Sequence, residues 1–338
     1  MKNPDSRPRR PVSPLVWLVA GLALLVLLNL TKNPAFLRVT WHDGHLFGTP
    51  IDILTQGSRT MLLALGMTLV IATGGVDLSV GSVCAITGAV CALTLQHGQS
   101  LAVTLAAAIG VGAAAGLANG LLVARLGIQP IVATLILMVA GRGIAQLVTD
   151  GQVLIIKHAA FEFLATGFVL GAPFAPLAVG ALYLVSHAAL RRTAAGLFIE
   201  AVGDNETASR FAGLAAARVK VLAYVFCGIC AGLTGVLIAA NIGAADGNRA
   251  GENAELDAIF AVVVGGTALT GGRFTLLGSL LGALLIQTLT TTMYNLGVAP
   301  AVAPVPKALV IVGVSLLQSE KFRALVARAW RREGRSGA

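Results

Sequence analysis

Apolar stretches at residues 12–30, 53–73, 79–96, 101–124, 128–148, 174–190, 216–240, 256–270, 275–293 and 304–318 constrain this chain more than any other feature. Most have the length at which one helix crosses a hydrocarbon core. Lipid offers backbone groups no hydrogen bonds, and a helix satisfies its own. Of the 338 residues 56% are hydrophobic and 12% charged, about half of the roughly 25% usual in soluble domains. So few charges could not cover a soluble surface of this size. The expected fold is all-α: a polytopic transmembrane helix bundle of about ten spans. It forms one domain over 1–338, with spans and loops over 12–318 and a basic tail over 319–338. The 256–270 stretch is short for a span.

Basic residues set the orientation. With the N-terminus inside, the inner connections hold Arg125, Arg191, Arg192, Arg210, Arg218, Lys220 and Arg273, and the tail adds Lys321, Arg323, Arg328, Arg331, Arg332 and Arg335. The outer connections hold Lys32, Arg38, Lys157 and Arg249. Positive residues favour the inside, so both termini are expected in the cytoplasm and the span count is even. The longer outer segments are 31–52, 149–173 and 241–255. Arg7, Arg9 and Arg10 precede the first apolar stretch, which lacks an A-x-A-like cleavage site and reads as a retained span rather than a signal peptide.

Several function classes drop out. The net charge of +9 follows topology and is not interleaved with aromatics on one face, so nucleic acid is not an expected partner. Cys227-Gly-Ile-Cys230 has CxxC spacing but sits within an apolar run, with no second pair or nearby His. His42 and His45 flank Asp43-Gly44 in an outer loop and read as a solvated turn; no metal site is expected. Gly266-Thr-Ala-Leu-Thr-Gly271-Gly272-Arg273 lacks the Lys-Ser/Thr that a phosphate-binding loop needs. The expectation is a transport subunit that is not an enzyme, has no cofactor and holds no ATP site of its own.

Polar residues within the apolar stretches or at the breaks between them are the candidates for a solute path. Asp77, in Gly74-Gly75-Val76-Asp77-Leu78-Ser79-Val80-Gly81, either caps the following helix or meets solute. Asn119, beside the small-residue stripe Gly112, Gly116 and Gly120, either bonds a neighbouring helix or lines the path. Asn241 is a third candidate. The stripe itself predicts close helix packing. Gly74-Gly75 followed by Gly81 is echoed by Gly265-Gly266 followed by Gly272, through chance or through an internal duplication. On the inside, Glu200, Ala201 and Gly203 lead into a turn and a short helix. Asp204 or Asn205 caps that helix and Gly213 ends it. Its small residues Ala208, Ser209 and Ala212 offer a face for docking a cytoplasmic partner. An ion-coupled secondary transporter is the rival class, with Asp77 and Asp257 as its candidate carboxylates.

The segment from Glu200 through Gly213 resembles the cytoplasmic coupling loop of ABC sugar-importer permeases of the ribose type. Ala64-Leu-Gly-Met-Thr-Leu-Val-Ile-Ala-Thr-Gly-Gly-Val-Asp-Leu-Ser-Val-Gly81, Gln129-Pro-Ile-Val-Ala-Thr-Leu135 with Arg142-Gly143, and Val263-Val-Gly-Gly266 with Leu269-Thr-Gly-Gly-Arg273 match that family too, in order over about 12–318. The segments 43–54, 140–147 and 196–203 are most similar to its galactofuranose branch. The outer stretch Gly297-Val-Ala-Pro-Ala-Val-Ala-Pro304 departs from the pattern. The resemblance implies a multi-pass protein of the bacterial inner membrane that imports a monosaccharide, galactofuranose among the candidates. It implies an ABC ATPase subunit docked on the coupling segment, a periplasmic sugar-binding protein, and a second permease subunit, identical or related.

Overall fold

The structure is a computed structural model that describes residues 14–299, 302 and 304–318. The N-terminal arginines, the basic tail over 319–338 and three positions of the divergent outer stretch (Pro300, Ala301 and Ala303) lie outside the described residues.

Ten helices coincide with the ten apolar stretches: α1 (Pro14–Lys32), α2 (Thr49–Ala72), α3 (Val80–Gln96), α4 (Leu101–Ala124), α5 (Pro130–Val148), α7 (Phe174–Arg192), α10 (Ala216–Ile242), α11 (Ala254–Val264), α12 (Leu276–Asn295) and α13 (Pro304–Gln318). Three short helices lie between them: α6 (Ala159–Thr166), α8 (Ala195–Asp204) and α9 (Glu206–Phe211). The bundle is all-α, but the connections expected outside carry strands. These are β1 (Thr40–His42) with β2 (His45–Phe47), β3 (Val153–Ile155) with β6 (Ala244–Asp246), and β4 (Phe168–Val169) with β5 (Ala172–Pro173), all antiparallel. The strand pair β3–β6 ties two connections far apart in sequence, in register Val153↔Asp246 and Ile155↔Ala244.

Local chemistry sets the helix ends. Pro stands in the first turn of α2 and of α5, where a missing N–H costs nothing. Ser100 and Thr275 cap α4 and α12, accepting from Val103 N and Gly278 N. Gly243 closes α10 at φ +62°, a conformation that suits glycine.

Burial sorts the helices. Over an 18-residue apolar window of each helix, 72% of α2 and 61% of α10 and α12 is buried inside the chain, against 22% of α4, α5 and α7 and 17% of α1. The first three form the centre and the others surround them. The α4 stripe packs against α10 as expected. A Cβ on Gly112 would lie 2.3 Å from Gly228 O, and one on Gly116 would lie 2.2 Å from Tyr224 O.

Among the described residues, seven helices are long and apolar enough to cross a membrane. α11 is not among them: its 11 residues reach about 16 Å, half of a core about 30 Å thick. The expected 256–270 span is therefore corrected to a half-span, and the expected outer loop 241–255 supplies the rest. After β6 the chain turns back between α5 and α3. A Cβ on Gly247 would lie 2.8 Å from Ala145 O near the outer end of α5, while Arg142 Nη1 donates to Ala250 O at 2.7 Å. Gly251 meets the first turn of α3, where a Cβ on Gly81 would lie 2.4 Å from Gly251 O. α11 thus starts at depth. Asn253 just before it takes φ +60°, and Gly251 takes φ +69°.

Candidate translocation site and coupling element

The turn from α2 to α3 also runs at depth. Tyr224, about 12 Å along α10 from its first residue Ala216, donates from its hydroxyl to Val76 O at 3.2 Å. Residues 73–79 are therefore unwound backbone enclosed by α4, α5 and α10, which lipid alone would not permit. Asp77 is 1% exposed and Asn119 0%. Asp77 Oδ1 accepts from Ser79 N at 2.9 Å, Ser79 Oγ at 2.6 Å and Asn119 Nδ2 at 3.2 Å, and Asn119 Nδ2 also donates to Ser79 Oγ at 2.9 Å. Asp77 holds its own turn; the residue capping α3 is Ser79, with no side-chain cap bond. Asn119 bonds the neighbouring segment. Asn241 is half-buried near the outer end of α10, well away from this cluster.

A second polar region was not singled out from the sequence. The re-entrant segment lies between two cavities. One of about 520 Å³ is lined by Ser82, Arg142, Gln146, Asn248, Glu252 and Glu255, among others. The other, about 320 Å³, is lined by Arg59, Asp246, Arg249, Glu252 and Asp257 on its polar side. Gln146, Asn248, Arg249, Glu252 and Asn253 are exposed on the chain's surface. A charged side chain facing lipid near the bilayer centre costs about 3 kcal/mol or more, so this face demands water or protein against it. Asp257 is ion-paired with Lys307 of α13 at 2.9 Å, which anchors the half-helix to the last helix. The signal for this region was the shortness of the 256–270 stretch: a half-span has to be reached by a chain that re-enters. Among the described residues no group of His, Cys, Asp and Glu could hold a metal ion.

On the expected inner side, α8 and α9 form the segment expected to dock a cytoplasmic partner. Asn205 breaks the helix at φ −154° and caps α9, its Oδ1 accepting from Ala208 N at 2.9 Å. Gly213 closes the segment at φ +85°. Gly203 differs from expectation: it lies within α8 and is a close-approach residue, not the turn. A Cβ there would fall 1.8 Å from Ala72 O and 2.5 Å from Gly272 N. Gly272 N itself donates to Ala72 O at 2.9 Å. The two echoed glycine segments therefore meet each other and α8 at one point.

The small-residue face divides. Ser209 is buried and donates to Ala201 O at 2.9 Å, whereas Ala208 and Ala212 are exposed. Phe211, 89% exposed, stands beside them. Glu200 and Ala201 are half-buried along α8. Glu206 accepts hydrogen bonds from Lys220 and from Arg210. The Lys220 bond, more than any other cause, holds its carboxyl below the usual carboxylate range against the opposing effect of burial.

Residues 49–317 match the family described as the permease component of the branched-chain amino acid transport system. A galactofuranose transporter permease of Escherichia coli K12 is 48% identical over 309 residues, 91% of this chain and 90% of the relative. A fructose import permease of Bifidobacterium longum NCC 2705 is 37% identical over 95% of this chain and 92% of the relative. A ribose import permease of Escherichia coli K12 is 37% identical over 90% and 95% respectively. No solved structure matches the chain.

Proposed function

This chain belongs to the permease-component family that its residues 49–317 match, and from that premise we propose that it is the membrane-spanning subunit of an ATP-driven ABC importer for a monosaccharide. Galactofuranose is the first candidate, because the relative named for it is 48% identical over 91% of this chain. The assembly comprises this single permease domain, a second permease subunit, an ABC ATPase that holds the nucleotide, and a periplasmic sugar-binding protein. The chain itself is not an enzyme and carries no ATP site.

The observation that carries the mechanism is the Gly203 contact. Movement imposed on α8 and α9 by an ATPase bears on Ala72 and Gly272 without an intervening side chain. Ala72 ends α2 at the head of the unwound segment 73–79, and Gly272 lies within the unwound segment 265–275 that precedes α12. The first of these leads into α3, which with α5 and the re-entrant segment borders the cavity of about 520 Å³. Shifting it changes the path wall. Asp77 and Asn119 hold that wall from behind. Arg142, Gln146, Asn248, Glu252 and Glu255 offer the hydrogen-bonding groups suited to a sugar's hydroxyls. The second permease subunit covers this face, and water fills what remains.

The test is uptake into proteoliposomes containing the permease with its ATPase. Galactofuranose accumulation should require both ATP and the sugar-loaded binding protein. Accumulation driven by a proton or sodium gradient without ATP would overturn the reading in favour of a secondary transporter.

A further inference from the structure

At the inner end of the bundle a cavity of about 450 Å³ opens where α1, α7, α8 and α12 meet. It is amphiphilic. Leu15, Leu190 and Phe274 supply apolar wall, while Arg191, His187 and Glu200 line the same space. Leu197 and Leu277, also lining it, are 67% and 57% exposed, so the apolar side continues onto the outer surface of the chain. Neither Arg191 nor Glu200 forms an ion pair among the described residues, where the pairs are His42–Asp43, Arg210–Glu206, Lys220–Glu206 and Lys307–Asp257. A cation and an anion stand apart across one cavity at the edge of the membrane.

That arrangement complements a zwitterion with an apolar tail. We propose that the cavity binds a phospholipid headgroup carrying both a phosphate and a primary ammonium, the phosphatidylethanolamine class. The phosphate oxygens accept from the Arg191 guanidinium and a His187 ring N–H. The ammonium donates to the Glu200 carboxylate. The acyl chains leave over Leu15 and Leu277. Each lining charge selects against an alternative. A purely anionic headgroup meets Glu200 without a counter-charge, and a choline headgroup has no N–H to give it. Residues 1–13, which precede Leu15 in sequence, carry Lys2, Arg7, Arg9 and Arg10 against the single acid Asp5, a net positive charge that complements Glu200 more than Arg191. Because Glu200 belongs to α8 and Arg191 to the last turn of α7, the bound lipid braces the coupling segment against the bundle.

The test is native mass spectrometry of the assembled importer from bilayers with equal phosphatidylethanolamine, phosphatidylcholine and phosphatidylglycerol. The ethanolamine lipid should be retained over the other two by about tenfold, which corresponds to about 1.4 kcal/mol. Arg191→Gln should lose retention of all three. Glu200→Gln should keep lipid but lose the preference, and Arg192→Gln, which changes an exposed cation outside the cavity, should leave it intact. Glycerophosphoethanolamine, the headgroup without chains, should not displace the lipid; displacement would mean a site for a soluble phosphate ester. Preference for phosphatidylglycerol would overturn the assignment of Glu200. Equal retention by the wild type and every variant would overturn the site itself.

Discussion

Gly203→Ala adds one methyl group where the coupling segment touches the bundle. In an open helix position the change should stabilise, because alanine exceeds glycine in helix propensity by about 1 kcal/mol. Here the new Cβ would stand 1.8 Å from Ala72 O, against an ordinary contact of 3.4 Å or more. The obstacles are backbone atoms, Ala72 O and Gly272 N, which cannot rotate away. α8 must therefore lift by about 1.6 Å, the difference between those distances. Overpacking of this kind costs about 1–3 kcal/mol. Disturbing the Gly272 N to Ala72 O bond adds about 1 kcal/mol. The net effect is destabilising, opposite in sign to the propensity argument. The expected outcome is a variant that inserts and co-purifies with the ATPase, while ATP hydrolysis stimulated by loaded binding protein and sugar uptake both fall by at least about tenfold. Proteoliposome assays of both, beside a thermal melt of the complex, make the measurement. A variant as stable as wild type, with undiminished uptake, would refute the close-contact argument and the transmission route built on it.

Other changes probe separate parts of the account. Ala208→Trp places a bulky side chain on the exposed face beside Phe211; insertion should be unaffected, while ATPase stimulation and uptake fall roughly 5- to 150-fold through a cost of about 1–3 kcal/mol at the docked surface. Asn119→Ala withdraws the amide from Asp77 and Ser79 and should destabilise the permease by about 1–3 kcal/mol, read as a lower melting temperature; an unchanged melt would mean that the cluster does not hold the 73–79 segment. Lys307→Ala leaves Asp257 without its partner and should lower stability, whereas Lys307→Met combined with Asp257→Leu should recover most of it; equal loss in both variants would count against the ion pair as an anchor. Glu206 has a depressed folded pKa, so its stabilisation is present above its ordinary value of 4.5 and is lost as pH falls below that value. The protection of α9 amides against hydrogen exchange, relative to their intrinsic rates at each pH, should fall over that acid range in wild type and be low at all pH in Glu206→Gln.

The long helices were legible because length and apolar composition alone decide what crosses lipid. Turn chemistry was legible at Asn205 and Gly213, where a capping side chain and a left-handed φ have local causes. Gly203 reads from the sequence as part of the lead into a turn, but its glycine answers to Ala72 and Gly272, more than 60 residues away on either side. Ser209 was grouped with Ala208 and Ala212 by size, yet its hydroxyl turns inward to Ala201 O, which a list of small residues cannot reveal. The segment 241–255 was read as an outer loop because its composition is polar and glycine-rich. What places it at depth is pairing at Gly81, Ala145 and Arg142, contacts that depend on how α3, α5 and α10 assemble. Asp77, at a break between apolar stretches, and Asn119, within one, stand out by polarity, but their mutual hydrogen bond is a tertiary fact.

The central claim is that the re-entrant face meets water and protein rather than lipid, and accessibility at residue 252 tests it most directly. The native cysteines Cys84, Cys91, Cys227 and Cys230 are all buried, which keeps the background low. In the assembled importer, Glu252→Cys should react from the outside with a charged, membrane-impermeant thiol reagent. Leu184→Cys on α7, a position 73% exposed on the chain, should not, because it faces lipid. Reaction at 252 should also slow when loaded binding protein is docked. Equal inertness at 252 and 184, with no cross-link from Glu252→Cys to the second permease subunit, would put the re-entrant face against lipid and contradict the path assigned to it.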